Sequence, residues 1–139
     1  MLVRLLYASR AAAAVDDTVL NAIVKQCRAN NPALGVTGVL CFSGGLFMQV
    51  LEGGRSVVNR IYNGIVADPR HSDVVLLSYE EISERRFAGW SMGQVNLARL
   101  NPALLLKYSE TETLDPYALS GRMSMALFEE LVATASVCG

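Results

Sequence analysis

An α+β fold is what this 139-residue sequence predicts. Short runs of strand-forming residues alternate with two stretches of apolar residues at helical spacing. A glycine pair sits between two of the strands, and the last third changes to helix with polar breaks. The apolar fraction is 52% against 18% charged, which requires a sheet covered on both faces or a surface used for self-association. A chain of this length makes one domain with a core of its own.

Leu2 to Ala8 reads as a buried first strand, closed by Ser9-Arg10 and the alanines Ala11 to Ala14. Asp16-Asp17-Thr18 offers N-cap chemistry. Leu20, Ile23, Val24 and Cys27 then form one helical stripe, expected to stop at Asn30-Asn31-Pro32. Thr37 to Phe42 and Leu46 to Glu52 are strands joined by a tight hairpin at Ser43-Gly44-Gly45. After Gly53-Gly54, Val58, Ile61, Tyr62 and Ile65 keep helical spacing up to Asp68-Pro69. Asp73 to Ile82 is a fourth strand and Ser91 to Asn96 a fifth.

The order βαββαββ with short loops suggests a ferredoxin-like sheet with both helices on one face. Strands 1 and 3 are expected side by side and parallel at its centre. From about Asn101 the chain turns helical, and Leu119, Met123, Leu127 and Leu131 share a stripe expected to cap the other face. The expected division is residues 1–97 for the sheet domain and 98–139 for a C-terminal helical segment.

Net charge is −1 without a basic run, so the electrostatic footprint of a nucleic-acid binder is missing. Cys27, Cys41 and Cys138 are widely spaced, and His71 is the one histidine that could join them. Neither a disulfide framework nor a metal site is expected. Arg4 interrupts the N-terminal apolar stretch, and no apolar run approaches the ~18 residues of a membrane span. The chain reads as cytoplasmic and reduced. GxGxxG, P-loop and GxSxG motifs are absent, as is a clustered carboxylate pair, so phosphate cradling and hydrolysis lack their usual parts. An anion-cradling enzyme on this fold would want an arginine, and only Arg10 is loosely placed for it.

Side chains alternate along a strand, so Phe47, Gln49 and Leu51 share one face of strand 3, with Met48 and Val50 on the other. Gln49 is therefore a polar intruder on an apolar face. Burying an amide without partners costs roughly 1–3 kcal/mol, so it needs one. Val3, Leu5 and Tyr7 share a face of strand 1, and in the expected sheet Tyr7 neighbours Gln49. Such a donor and acceptor pair serves either as a structural lock on register or as a functional centre. Asn30 and Asn31 suit a helix C-cap, and His71 suits a surface turn.

Arg4-Leu5-Leu6-Tyr7-Ala8-Ser9, Asn30-Asn31-Pro32, Val36-Thr37-Gly38-Val39-Leu40, Phe47-Met48-Gln49-Val50-Leu51-Glu52-Gly53, Asp68-Pro69-Arg70-His71, and Arg86-Phe87 followed by Trp90-Ser91-Met92 occur in this order. Together they resemble the BLUF family, sensors of blue light using FAD. Leu106-Lys107-Tyr108-Ser109 is similar to the C-terminal extension of the family's short members, which lack a fused effector. The resemblance implies a photoreceptor rather than an enzyme, with non-covalent FAD between the two helices and Ile23 and Ile65 against the ring. FMN or riboflavin are alternative occupants in recombinant protein.

Residue by residue, Tyr7 matches the family's electron donor, Gln49 its switching amide and Asn31 the amide at the ring's pyrimidine edge. Asn30, Asp68, Arg70 and His71 match positions bordering the ring and ribityl chain. Trp90 and Met92 match a pair that exchanges places near Gln49 and relays the signal. The implied partners are a downstream signalling protein and further copies of the chain. One departure stands out: many relatives carry an arginine directly before the isoleucine of the second helix, where this chain has Gly64, with Arg70 as a substitute cation. Cys27 stands where some relatives have serine. A flavin reductase and a flavin-free regulatory domain are the rival readings.

Overall fold

A computed structural model describes residues 1–95, 101–112 and 114–134, together with the backbone of residues 137–138. β1 spans Leu2–Ala11, α1 Asp17–Leu34, β2 Thr37–Ser43, β3 Leu46–Gly54, α2 Arg55–Ala67, β4 His71–Ile82 and β5 Gly93–Val95. α3 (Pro102–Tyr108), a single 3₁₀ turn (Pro116–Ala118), α4 (Gly121–Ala133) and β6 (Val137–Cys138) follow. The fold is the expected α+β, ferredoxin-like one. The expected end of the fifth strand at Asn96 and the boundary at 97/98 lie outside the described residues.

The sheet order is β4-β1-β3-β2-β5-β6. β1 and β3 are central neighbours, but antiparallel rather than parallel as the sequence suggested. The crossover through α1 sets β2 parallel to β1 with a strand's width between them. The hairpin then reverses the chain, so β3 fills the gap running the other way. At the hairpin Gly44 and Gly45 take φ of 57° and 77°, the paired positive values that a two-residue turn of this twist demands.

α1 begins as expected, with the Asp16 carboxylate accepting from the Val19 N–H at 2.9 Å. It does not stop at Asn30-Asn31-Pro32. The helix runs on to Leu34 with Pro32 inside it and closes on Gly35, whose left-handed backbone lets its N–H reach the Asn31 and Pro32 carbonyls. Both asparagines are thus helical residues and not caps, and Asn31 is buried.

Alternation along the strands builds two cores. Val3, Leu5, Tyr7, Leu40, Phe47 and Leu51 face α1 and α2, meeting Leu20, Val24 and Val58. Leu6, Val39, Cys41, Met48 and Val50 face the C-terminal helices and meet Leu127, Phe128 and Leu131. The C-terminal stripe needs a correction: Ser124, Met125, Leu127, Phe128 and Leu131 form the buried side of α4, while Met123 is exposed. Leu119 lies before the Ser120 N-cap, so helical spacing does not carry across to it.

Candidate functional site

The helix-covered face of the sheet holds a cavity of about 230 Å³. Ile23, Gln26, Cys27, Asn30, Asn31 and Leu34 of α1 form one wall, and Ile61, Gly64 and Ile65 of α2 the other. Tyr7, Leu40, Phe47, Gln49 and Leu51 form the floor, and Asp68, Arg70 and His71 the edge between α2 and β4. The sequence-derived candidates Tyr7, Ile23, Asn30, Asn31, Gln49, Ile65, Asp68, Arg70 and His71 therefore share one cavity. His71 opens β4 rather than standing in an isolated surface turn.

Tyr7 and Gln49 are direct register partners across β1 and β3. The phenol donates to Gln49 Oε1 at 2.6 Å, and Gln49 Nε2 donates to Met92 Sδ at 3.3 Å. Both ends of a buried amide are thereby engaged, one by a strong partner and one by a weak thioether. Burial pushes the Tyr7 phenol well above its ordinary range, aided by repulsion from Cys27, Tyr62 and Asp68. It is a neutral donor at any working pH.

Trp90 and Met92 separate. Met92 is buried in the core on the cavity side, whereas Trp90 packs against the core on the opposite face. Two ties fix the segment that brings Met92 in: Asn31 Nδ2 donates to the Ser91 carbonyl at 2.7 Å, and Arg28 Nε to the Met92 carbonyl at 2.9 Å. The Asn31 amide keeps its oxygen and second hydrogen for the cavity.

The cavity edge carries balanced charge. Arg70 clasps Asp68, with Nη2 at 2.6 Å and Nε at 3.0 Å from Oδ2. These bonds hold the Asp68 carboxyl below the usual carboxylate range and raise Arg70. Burial lowers the His71 pKa, against a weaker upward pull from Asp68. Its Nδ1 lies 2.8 Å from Ser9 Oγ, and its ring packs on Phe47 with centroids 4.6 Å apart. Cys27, on the α1 wall, is also raised chiefly by burial, so it is a protonated thiol and a weak donor.

Sequence reasoning missed the support behind this site. Glu52 is wholly buried and accepts from Arg4 Nε at 2.8 Å, Arg86 N at 3.0 Å and Phe87 N at 2.8 Å. Arg85 donates to the Gly35 carbonyl at 2.6 Å and to Thr37 Oγ1 at 3.0 Å. These bonds pin the loop after β4 to β3 and to the end of α1, which delivers Ser91 and Met92. Ser9, which the sequence offers as a strand terminator, lies inside β1 and is buried. An acid inside the strand Leu46 to Glu52 was the available signal for Glu52.

The comparison with known proteins bears on what this cavity holds. A family model described as BLUF, sensors of blue-light using FAD, matches residues 2–93. The chain belongs to the BLUF family. The solved BLUF protein BlrB, in its dark state, has a TM-score of 0.81 at 34% identity, with 96% of each chain covered. BlsA in its photo-activated state gives 0.83 at 32% identity over 95% of each chain. The blue light- and temperature-regulated antirepressor BluF of Escherichia coli K12 is 36% identical over 87 residues, 63% of this chain and 22% of that protein. A photoactivated adenylate cyclase beta subunit of Euglena longa is 37% identical over 92 residues, or 66% of this chain and 11% of the cyclase subunit. This BLUF chain thus spans a small part of the longer relatives.

As a BLUF protein the chain is a blue-light sensor that binds FAD, and its residues suit a flavin. The apolar walls match a flat ring system, and the Asn31 and Gln49 amides offer both donors and acceptors to a carbonyl and imide edge. A Cβ built on Gly64 would meet no atom within 4 Å, so the α2 wall is open at this position. Arg70, engaged with Asp68, supplies a cation on the cavity rim. Among the described residues no group of His, Cys, Asp and Glu gathers to hold a metal. No described helix is long and apolar enough to cross a membrane.

Proposed function

We propose that this BLUF protein senses blue light through the Tyr7–Gln49 pair and reports it through its C-terminal segment. The observation that carries the reading is the 2.6 Å bond from the Tyr7 phenol to Gln49 Oε1 on the cavity floor. Bound flavin supplies the absorber of blue light and, once excited, an electron acceptor. Ile23 and Ile65 would hold its ring from the two helices, with Asn31 and Gln49 at the polar edge. Asn30, Asp68, Arg70 and His71 would border the ring and the ribityl chain. About 230 Å³ is less than the roughly 300–1,000 Å³ that encloses a whole drug-sized ligand, which suits a ring inside and the rest of FAD at the mouth.

Tyr7 gives up an electron and then its phenolic proton, and regains both within the same cycle. Gln49 is left rotated or tautomerised. An amide carries donor and acceptor on one plane, so its rearrangement exchanges which neighbour receives a proton without net chemistry. Met92, the acceptor of the Nε2 bond, and Trp90, behind the same segment, pass the change to β5. Residues 1–97 act as the flavin-binding domain and 98–139 as the output segment. The signal then reaches a downstream protein or a second copy of the chain.

Tyr7→Phe tests the assignment, because it preserves the ring and removes the phenol. The variant should stay yellow and lose the light-induced red shift. A full reversible shift in Tyr7→Phe would refute the role given to Tyr7.

A further inference from the structure

We infer that the C-terminal segment senses the flavin site through β4, at the two places where β4 slips out of register with β1. The inference rests on the blue-light reading above and adds a route by which the signal leaves. Pairing slips by one residue between Leu6 and Tyr7 and by one more between Ala8 and Arg10. Such an excess leaves a residue outside the ladder and bends the strand. At the first slip the extra residue is Leu77, because Leu6 pairs with Ser78 and Tyr7 with Leu76. At the second, Asp73 and Val74 together oppose Ser9, because Ala8 pairs with Val75 and Arg10 with Ser72. Asp73 takes a φ of 48°, a left-handed value that a residue with a Cβ adopts at a cost.

The C-terminal segment grips both irregularities. Tyr117 Oη donates to the Asp73 carbonyl at 2.8 Å. Its ring lies against Arg10, whose Cζ is 4.7 Å from the ring centroid, and Arg10 Nε is 3.3 Å from the Asp73 carboxylate. Further on, α4 starts at Gly121 directly against the Leu77 carbonyl. A Cβ built on Gly121 would fall well inside contact distance of that oxygen, so only glycine lets the helix begin there.

The same two slips adjoin the cavity from the other side. Tyr7 stands at the first. Ser9 stands at the second, with its hydroxyl 2.8 Å from Nδ1 of the cavity residue His71. A backbone adjustment at Tyr7 or His71 thus reaches Leu77 or Asp73 at points where the ladder is already broken. There it meets Gly121 and Tyr117. This route runs along the β4 edge, separate from the Met92 route through β5.

Light-minus-dark amide hydrogen exchange on the flavin-loaded chain separates the two routes. In the wild type, blue light should change exchange within Gly121–Ala133 by about 5-fold or more, the lower end of ordinary allosteric coupling. Tyr117→Phe and Gly121→Ala should keep the flavin red shift and lose most of that change in α4. If Gly121→Ala does not fold, Tyr117→Phe decides alone, since it removes one hydroxyl. An α4 response of wild-type size in Tyr117→Phe would overturn the β4 route. So would a wild type that shows the red shift with no α4 response. A wild type with bound flavin and no red shift would bring down the blue-light reading, and the route with it.

Discussion

Tyr7 and Gln49 face each other across the two central strands, joined by a 2.6 Å hydrogen bond from phenol to amide oxygen. Gln49→Leu removes that acceptor together with the donor to Met92 while keeping an apolar side chain of similar size. Flavin should remain bound and the red shift should vanish, as read from absorption spectra before and after illumination. A normal shift would mean that the amide is a structural lock and nothing more.

Met92 and Trp90 make a second, contrasting pair, because only Met92 touches the Gln49 amide. Met92→Leu keeps the packing and removes the sulfur acceptor, a change of about 1 kcal/mol, or roughly fivefold in a rate. Dark recovery should change by about that factor in Met92→Leu and by less than about twofold in Trp90→Phe. The opposite ranking in a recovery time course would place Trp90 and not Met92 beside the amide.

Face assignment was legible in the sequence because strand alternation is a local property. Phe47, Gln49 and Leu51 share a face whichever way β3 runs, so the Tyr7–Gln49 neighbourhood survived an error in strand direction. Direction depends on where the crossover sets β2 down, which no local pattern encodes. Asn30-Asn31-Pro32 resembles a helix end, but Pro32 is tolerated near the end of α1, and the true cap is Gly35. Trp90 and Met92 would share a face if both lay in a strand. Trp90 lies in the loop before β5, where alternation does not apply. Nor could Glu52 be placed, because its partners come from β1 and from the loop after β4.

His71 gives a pH dependence of definite sign. Its folded pKa is lowered by burial, below the unfolded value of about 6.5. Between those values the unfolded chain holds a proton that the folded chain lacks, so stability rises with pH and is lost on acidification. His71 is the chain's one histidine. Melting temperature should fall as pH drops from about 7.5 to about 5.5, and His71→Asn should flatten that slope. An unchanged slope would assign the acid sensitivity to other groups.

The Arg4–Glu52 pair predicts a large cost for a single truncation. Arg4 and Glu52 are both buried, and removing one partner strands the other, typically at about 3–5 kcal/mol. Arg4 keeps Glu80 at 2.8 Å, so Glu52→Ala should cost about 3 kcal/mol, read as a lower denaturant midpoint at unchanged slope. A loss under about 1 kcal/mol would show that the loop after β4 holds its place without Glu52.

The central claim is that light rearranges hydrogen bonds around a flavin that ends the cycle in its starting redox state. One absorption spectrum of the purified yellow protein in darkness, under blue light and again in darkness tests it most directly. The expected result is a small red shift of the flavin bands that reverses fully in the dark and repeats over many cycles. Persistent bleaching to reduced flavin as the main response, or no response from bound flavin, would contradict it.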